Sequence, residues 1–376
     1  MKPQTKTITY HASINNGSFF QAYALQKTLL AMGYDNRILD IQSKELKTDY
    51  ALFRKPSSIS DLVKNLISLI HYKSLSERKT KFETARKKYL SLTDEYEKLD
   101  EYLKETGDYD SVYIAGSDQI WNVSTSDFTQ DYFLPQVRKK ISYSASGGTK
   151  ITLIELEKYR KEINEFSSLS VRESDLKAIL LKLGMNDVSV TLDPTLLMDK
   201  SEYLKLIEDR KYIKGKYIFL YTIKCEPEVL KMAKRISKKL KMPVYTIFNT
   251  YRSEKNLMYG VKNIYDAGPF DFLNIINNAS LVLTDSFHGN VFSVILEKEF
   301  YYISTVDKNG NMKRDDRIDD FLEKTKMINY KISVNETIDS IRFKRNRDFS
   351  FIPAIIEKMR EESFDYLRKA LGQFNS

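Results

Sequence analysis

The sequence predicts an α/β fold with two domains and a closing C-terminal helix. Short runs rich in Val, Ile, Leu and Tyr alternate with segments of helical periodicity, which indicates repeated strand–helix units and a parallel sheet. The 376 residues exceed what one ordinary core contains, and the pattern restarts near residues 197–200. We therefore predict a first domain over 1–197, a second over 198–345 and a closing helical segment over 346–376.

The predicted first domain opens with a strand, a turn and a helix. Residues 7–11 form the strand, Asn15 and Asn16 lie in the turn because Asn tolerates positive φ, and 19–32 form the helix. A polar, helical pattern over 57–106 indicates a helical insertion in this domain. The remaining strands are predicted at 37–41, 111–115, 140–146, 169–172 and 188–192.

The predicted second domain continues the alternation after residue 200. Its helices are predicted at 227–240, 270–278 and 317–324, and a long amphipathic helix at 353–373 ends the chain. Its strands are predicted at 216–222, 244–248, 281–285 and 300–304.

Composition narrows the class of protein. A hydrophobic content of 42% with 30% charged residues is typical of a soluble globular chain. The N-terminal residues lack the apolar core of a signal peptide, and no run approaches the roughly 18 apolar residues that span a bilayer. The single Cys225 excludes an internal disulfide and a thiolate metal cluster. We expect a cytoplasmic protein.

The net charge of +9 is concentrated in one segment. Residues 54–90 contain ten Lys and Arg against three acidic residues. Such a segment can contact nucleic acid, anionic lipid or an acidic substrate, or it can be a solvated helical face. No zinc-ligand spacing, aromatic RNA-binding strand or helix-turn-helix pattern accompanies it, so we predict no nucleic-acid partner.

Polar side chains gather where the predicted strands end. Ligands bind at the carboxyl ends of parallel strands, and helix N-termini favour anions, so we expect these side chains to line one interdomain cleft. The sequence offers no metal site there. The candidates are Asn15, Asn16, Ser117, Asp118, Gln119 and Arg172 in the first domain, and Ser286, His288, Gly289 and Asn290 in the second.

His288 and Arg172 are the strongest candidates. His288 begins a predicted helix, where Asp285 or Ser286 could orient its ring for acid–base work, and a purely structural histidine is the alternative. Arg172 ends an otherwise apolar strand, a costly position unless the guanidinium meets an anion. An ion pair with Glu173 or Asp193 is the alternative to a ligand contact.

Six blocks in order resemble the polysaccharide pyruvyl transferase family. The resemblance implies two Rossmann-like domains in a GT-B-like arrangement, with the C-terminal helix packing back on the first domain. Many members carry an aromatic residue where this chain has Asn16. The blocks are TYHASINNGSFFQAYALQ (9–26), YDSVYIAGSDQIWN (109–122), ISYSAS (141–146), LSVRE (169–173), LDPTLLMD (192–199) and LTDSFHGNVFSVIL (283–296).

The resemblance also implies an activity. Members transfer pyruvate from phosphoenolpyruvate onto two hydroxyls of a sugar, form a cyclic ketal and release phosphate, with no metal or cofactor. His288 and Arg172 match family positions, and Arg317 resembles the arginine that starts a late helix, with Arg314 as the alternative. His288 would then be the general acid/base, Asp118 a partner base, and the two arginines would hold the anion.

Two other functions stay open at the level of sequence. A GT-B-like glycosyltransferase using a nucleotide sugar would use the same cleft, and a non-catalytic glycan- or lipid-associated protein could retain the fold. If the acceptor is a lipid-linked glycan precursor, the basic segment 54–90 suggests peripheral contact with the anionic inner face of a membrane.

Overall fold

The structure, a computed structural model, describes residues 2–149, 151–249, 251–343 and 349–375. The chain divides into two compact units. The first contains Met1–Ala51, Glu83–Met198 and Ile356–Ser376, and the second contains Leu52–Phe82 and Asp199–Ile355. The predicted boundary between residues 345 and 346 lies outside the described residues.

The described residues form thirteen β-strands, and each pairs in parallel with its neighbours in a sheet. They are β1 Thr5–Ile8, β2 Asn36–Ile41, β3 Leu92–Tyr96, β4 Val112–Ala115, β5 Lys140–Ser142, β6 Leu169–Val171, β7 Val188–Val190, β8 Ile218–Tyr221, β9 Val244–Ile247, β10 Val261–Ile264, β11 Leu281–Thr284, β12 Phe300–Ser304 and β13 Lys331–Ser333.

The same part of the chain forms fourteen α-helices. None of them combines the length and the apolar character that crossing a bilayer requires. They are α1 Asn16–Ala31, α2 Lys44–Asp49, α3 Ile59–Ile70, α4 Tyr72–Tyr89, α5 Leu99–Thr106, α6 Leu153–Glu157, α7 Arg160–Asn164, α8 Ser174–Lys182, α9 Lys200–Leu204, α10 Pro227–Leu240, α11 Pro269–Asn278, α12 Phe287–Ile295, α13 Asp316–Lys324 and α14 Ile352–Gly372.

The first unit is built on a five-stranded sheet in the order β3-β2-β1-β4-β5, with β6 and β7 forming a second parallel pair. The central strand β1 is buried along its whole length. Helix α1 follows it and buries thirteen of its sixteen residues, so it is an internal helix rather than an amphipathic surface helix. Its N-terminus therefore opens at the carboxyl end of the central strand, where the polar residues were predicted to gather.

The second unit is built on a six-stranded sheet in the order β10-β9-β8-β11-β12-β13. Strand β11 lies between β8 and β12, and its last residue, Thr284, stands opposite Tyr221 on one side and Tyr302 on the other. All four residues of β11 are buried. Helix α12 begins three residues later and packs against the same strand, so its start is fixed at the carboxyl edge of the sheet.

The helical insertion predicted over 57–106 is wrong in two respects. Residues 92–96 form the edge strand β3, whose polar sequence LTDEY gave no apolar strand pattern. Leu52–Phe82, with α3 and much of α4, groups with the second unit rather than the first. The cause lies in contacts of α4, because Lys81 pairs with Asp271 at 3.0 Å and Arg78 donates to the carbonyl of Phe248.

Most of helix α14 groups with the first unit. The Tyr366 hydroxyl donates to the carbonyl of Ser142 at 2.7 Å, and Ser363 Oγ accepts from the Leu192 backbone N–H at 3.0 Å. These bonds satisfy backbone groups where β5 and β7 end. The last helix therefore completes the first unit.

Candidate functional site

The site residues predicted from the sequence fall into two groups, one in each unit. Asn15, Asn16, Ser117, Asp118, Gln119 and Arg172 belong to the first unit, and Ser286, His288, Gly289, Asn290 and Arg317 to the second. Each group lies at the carboxyl ends of its unit's strands. That the two groups line one cleft stays a prediction.

The start of helix α1 separates the roles of two neighbouring asparagines. Asn15 is the N-cap, and its Oδ1 accepts from the backbone N–H groups of Gly17 at 2.9 Å and Ser18 at 3.4 Å. Asn16 is 1% exposed, yet neither atom of its amide has a hydrogen-bond partner among the described residues. A buried amide left without a partner costs free energy, so Asn16 rather than Asn15 is suited to meet a polar ligand group.

Asp118 lies in the turn after β4, in a left-handed conformation with φ of 70°. Its Oδ2 accepts from Ser18 Oγ at 2.7 Å, and its Oδ1 accepts from the Gln119 backbone N–H at 2.9 Å. The carboxylate is thereby fixed against the first turn of α1, beside Asn16. Gln119 is half-buried and accepts from Asn122 Nδ2 at 3.0 Å.

Gln21 organises this edge and is not among the site residues predicted from the sequence. Its Nε2 lies 2.9 Å from Thr9 Oγ1, from the Tyr10 carbonyl and from the Ser18 carbonyl. Its Oε1 accepts from the Ser117 backbone N–H at 3.2 Å, which joins the loops after β1 and β4 to α1. The available signal was a single amide inside the otherwise apolar stretch FFQAYAL.

Arg172 makes the ion pair that the sequence analysis left as an alternative. Its Nη2 lies 2.8 Å from Asp193 Oδ2 and donates to Ser117 Oγ at 2.8 Å. Ser117 Oγ in turn donates to the Ser144 carbonyl at 2.6 Å. All four residues are buried, so this guanidinium braces the ends of β4, β5 and β6 from inside the first unit.

In the second unit, the turn after β11 presents the N-terminus of a nine-residue helix. Ser286 is the N-cap, but its side chain makes no capping hydrogen bond. Its backbone N–H donates to Thr284 Oγ1 at 3.0 Å, and its carbonyl accepts from the Asn290 N–H at 3.1 Å. The first-turn N–H groups point out of the helix at its positive dipole end, so this end of α12 favours an anion.

His288 and Asn290 belong to that first turn. Both are buried, and the His288 ring meets the edge of Phe287 at a centroid distance of 5.3 Å. Neither side-chain atom of Asn290 finds a hydrogen-bond partner in the described part of the chain. A second buried amide without a partner thus stands at a helix start, as Asn16 does in the first unit.

Asp285 is held by the loop after β8. Its Oδ2 accepts from Thr222 Oγ1 at 2.7 Å and its Oδ1 from the Ile223 backbone N–H at 3.2 Å. Burial raises the pKa of Asp285 to about 6, against the opposing effect of these two hydrogen bonds. A carboxyl that titrates near neutrality therefore lies three residues before His288.

Arg317 lies in the first turn of helix α13, which packs against α12. Its Nε and Nη2 donate to the two carboxylate oxygens of Asp315 at 3.0 and 2.8 Å, and Arg314 pairs instead with Asp316. Burial raises the pKa of Tyr302 in the middle of β12. The negative charges of Asp315 and Asp285 raise it further, and the positive charge of Arg317 opposes them. The charged groups of Asp285, Asp315 and Arg317 therefore lie near the carboxyl edge of the second sheet.

A family model for polysaccharide pyruvyl transferases matches residues 15–307, which is more than half of the chain. The chain belongs to the polysaccharide pyruvyl transferase family. The resemblance read from the six blocks is thereby confirmed, and membership implies a transferase. The matched residues include every predicted site residue except Arg317.

Comparison with solved structures shows which known folds this chain resembles. A UDP-GlcNAc 2-epimerase from Methanocaldococcus jannaschii, in complex with UDP-GlcNAc and UDP, is 13% identical with a TM-score of 0.51, covering 96% of this chain and 93% of that one. The UDP-N-acetylglucosamine 2-epimerase from Rickettsia bellii is 11% identical with a TM-score of 0.53, covering 100% and 98%. A comparison with curated protein sequences finds no match.

At such low identity the likeness shows the fold alone. These neighbours are α/β proteins with parallel sheets and belong to the GT-B class, so the predicted fold class of this pyruvyl transferase family member is confirmed. How its two units are arranged stays a prediction.

A substitution at Gly289 tests how closely the start of helix α12 packs against strand β11. A Cβ at this position would overlap Thr284 Oγ1 and lie 2.8 Å from Tyr221 Cδ1. Gly289→Ala should therefore push α12 away from β11 and cost about 1–3 kcal/mol of unfolding free energy. Gly372→Ala is the matched control, because no atom lies within 4 Å of its added Cβ. Equal urea midpoints for the two variants would contradict the close packing.

Asp285 gives a second test, by pH. The pKa of about 6 in the folded protein is above the ordinary aspartate value, so the folded state binds the proton more tightly than the unfolded chain. The free energy of unfolding should fall as pH rises from about 4 to about 6 and then level off, by roughly 2–3 kcal/mol in all. Asp285→Asn should remove this component. Urea unfolding of the wild-type protein and of Asp285→Asn from pH 4 to 7 measures this component of the unfolding free energy. Parallel pH profiles for the two proteins would contradict the raised pKa of Asp285.

Proposed function

We propose that the protein transfers pyruvate from phosphoenolpyruvate onto two hydroxyls of a sugar in a cell-surface glycan precursor, forming a cyclic ketal and releasing phosphate. The start of helix α12 carries the proposal. The backbone N–H groups of the first helical turn, the His288 ring and the buried amide of Asn290, which has no hydrogen-bond partner among the described residues, stand there in one turn. Phosphoenolpyruvate bears a carboxylate and a phosphate, the groups that a helix N-terminus and guanidinium forks bind well.

The two protons that the sugar hydroxyls lose balance one proton gained by the methylene carbon and one gained by the departing phosphate. His288 delivers a proton to the methylene carbon of phosphoenolpyruvate, and C2 becomes an oxocarbenium-like centre that the first sugar hydroxyl attacks. That hydroxyl gives up its proton to a base, which offsets the proton gained by carbon. The C2–O bond to phosphate then breaks, and the second hydroxyl attacks C2 and passes its proton to the departing phosphate, which closes the ketal. The chemistry uses neither a metal nor a redox cofactor.

We assign the roles of base and anion ligand to other site residues from the hydrogen bonds that their side chains make. Asp118 is the partner base in the first unit, where Ser18 and the Gln119 N–H hold its two oxygens. Arg317 contacts the substrate anion while it shares its guanidinium with Asp315 at 2.8 Å, and a fixed cation of this kind stabilises departing phosphate. The substrate contact predicted for Arg172 is replaced by its ion pair with Asp193 at 2.8 Å, which holds the strand ends of the first unit.

The remaining polar residues are assigned to positioning the substrates. The Ser286, Gly289 and Asn290 turn would contact the donor anion. In the first unit, the buried Asn16 amide and the half-buried Gln119 are suited to sugar hydroxyls, whereas Asn15 and Ser117 shape the loops that present them.

An assay of phosphate release tests the proposal. The protein is mixed with phosphoenolpyruvate and a panel of galactoside- and N-acetylhexosamine-containing acceptors, including lipid-linked ones, and released phosphate and product mass are measured. Release that depends on both substrates, with a product heavier by one pyruvyl ketal, supports the transfer. If phosphate is not released with any acceptor and a sugar nucleotide is consumed instead, the protein is a glycosyltransferase and the proposal fails.

A further inference from the structure

Helix α3 exposes an apolar face. Six aliphatic side chains on this helix are between 42% and 82% exposed, although the helix belongs to a well-formed unit. At about 100° per residue they fall within one arc of about 120°, so they form a continuous stripe rather than scattered positions. They are Ile59, Leu62, Val63, Leu66, Leu69 and Ile70, and we call them the α3 apolar face.

The opposite side of α3 is the side that packs. Lys64 Nζ lies 5.3 Å from the centroid of the Tyr251 ring. At the C-terminal end of the helix, the His71 ring stacks on Tyr265 with 3.8 Å between centroids. The helix is therefore attached to the second unit through its polar side, and the α3 apolar face points away from that attachment. An exposed aliphatic stripe of this kind marks an interaction surface.

Basic side chains flank the stripe at both ends. Arg54 and Lys55 precede α3 and Lys73 follows it, and both lysines are exposed. Deeper in the basic segment the cations serve the fold instead, since Lys81 pairs with Asp271 at 3.0 Å. Arg78 and Arg86 likewise bind the Phe248 carbonyl and Asp40. Lys87 and Lys88 near the end of α4 are exposed as well, but Lys55 and Lys73 are the exposed cations that lie at the two ends of the α3 apolar face.

We propose that α3 is a membrane-docking helix that lies in the headgroup layer of an anionic bilayer. Its apolar face would enter the acyl boundary, and Lys55 and Lys73 would contact lipid phosphates. A second copy of the chain fits less well. Two such helices meeting antiparallel about a two-fold axis would bring Lys55 of one against Lys73 of the other, which repel. The inference does not depend on the proposed reaction.

Vesicle flotation tests the docking helix. The full chain should float with vesicles of equal parts phosphatidylglycerol and phosphatidylcholine, but not with phosphatidylcholine alone. Ile70→Glu should lower the bound fraction at least about tenfold, because a charge replaces an aliphatic side chain that the bilayer would bury. Ile154→Glu is the matched control, since Ile154 is an isoleucine of the first unit that is similarly exposed. Equal flotation of the two variants would overturn the proposal.

A fluorescence probe separates insertion from surface adsorption. The native Trp121 is fully buried, so its emission gives a constant background to a Leu66→Trp variant. The emission of the added tryptophan should shift to the blue with anionic vesicles. An unshifted spectrum with floating protein would contradict insertion of the α3 apolar face. Concentration-dependent dimers that Ile70→Glu dissociates, in a protein that ignores vesicles, would assign the face to a second copy and overturn the proposal.

Discussion

Replacing His288 with alanine should lower kcat for phosphate release about 10²–10⁴-fold while the fold stays intact. The side chain belongs to the first turn of α12, which also carries Asn290, and follows by three residues Asp285, whose pKa is about 6. If His288 transfers the proton to carbon, its loss slows the chemical step and leaves substrate affinity largely unchanged. Steady-state rates at saturating phosphoenolpyruvate, with circular dichroism of both proteins, measure the effect.

The control is the other histidine of the same unit. His71 stacks on Tyr265 and lies 3.7 Å from Glu254, at the end of α3 and away from β11. His71→Ala should keep the wild-type kcat. If His288→Ala instead raises the KM for phosphoenolpyruvate and leaves kcat unchanged, His288 is an anion ligand and the acid–base role is wrong.

Replacing Arg172 with methionine should destabilise the protein by about 3–5 kcal/mol. The change removes the cation from a buried pair and leaves the Asp193 carboxylate in the interior, where it is costly without its partner. For a unit of this size each kcal/mol lowers Tm by about 2–4 °C, so calorimetry should show a large shift.

Two companion variants show whether the ion pair is the cause. Arg172→Met combined with Asp193→Leu should recover much of the loss, because an apolar pair can replace a buried ion pair. Arg368→Ala removes a cation from an exposed pair with Asp365 in the same unit and should leave Tm near that of the parent. A parental Tm for Arg172→Met, with weakened use of phosphoenolpyruvate, would show that ligand binding rather than bracing is its main role.

Much of the fold could be predicted because buried parallel strands carry a local signal. Phe300–Ser304 is predicted to the residue, and the strand that ends at Thr284 to within one residue. Strands β3, β10 and β13 were missed because they lie at or near sheet edges, where the alternation of apolar residues is weak. The membership of Leu52–Phe82 in the second unit depends on contacts with distant residues, and no local pattern encodes them.

The sequence predicts where the candidate site lies, but it does not predict which side chains form ion pairs and hydrogen bonds there. The rule that ligands meet the carboxyl ends of parallel strands placed Asp118 and His288 at strand ends, where the structure has them. The partner of Arg172 could be narrowed to two neighbours, and only the fold chooses Asp193. The pKa of Asp285 depends on burial and on bonds from residues more than sixty positions earlier, so the sequence order gave no sign of it.

Neither unit is a continuous stretch of chain. The second is assembled from Leu52–Phe82 and Asp199–Ile355, and the first is completed by Ile356–Ser376. During synthesis, strands β1–β7 leave the ribosome well before helix α14, whose Tyr366 and Ser363 satisfy backbone groups at their ends. Helix α3 likewise emerges long before the strands of its own unit. Helix α14 can therefore dock only when nearly the whole chain has been made, so the first unit is completed last although its core residues are made early.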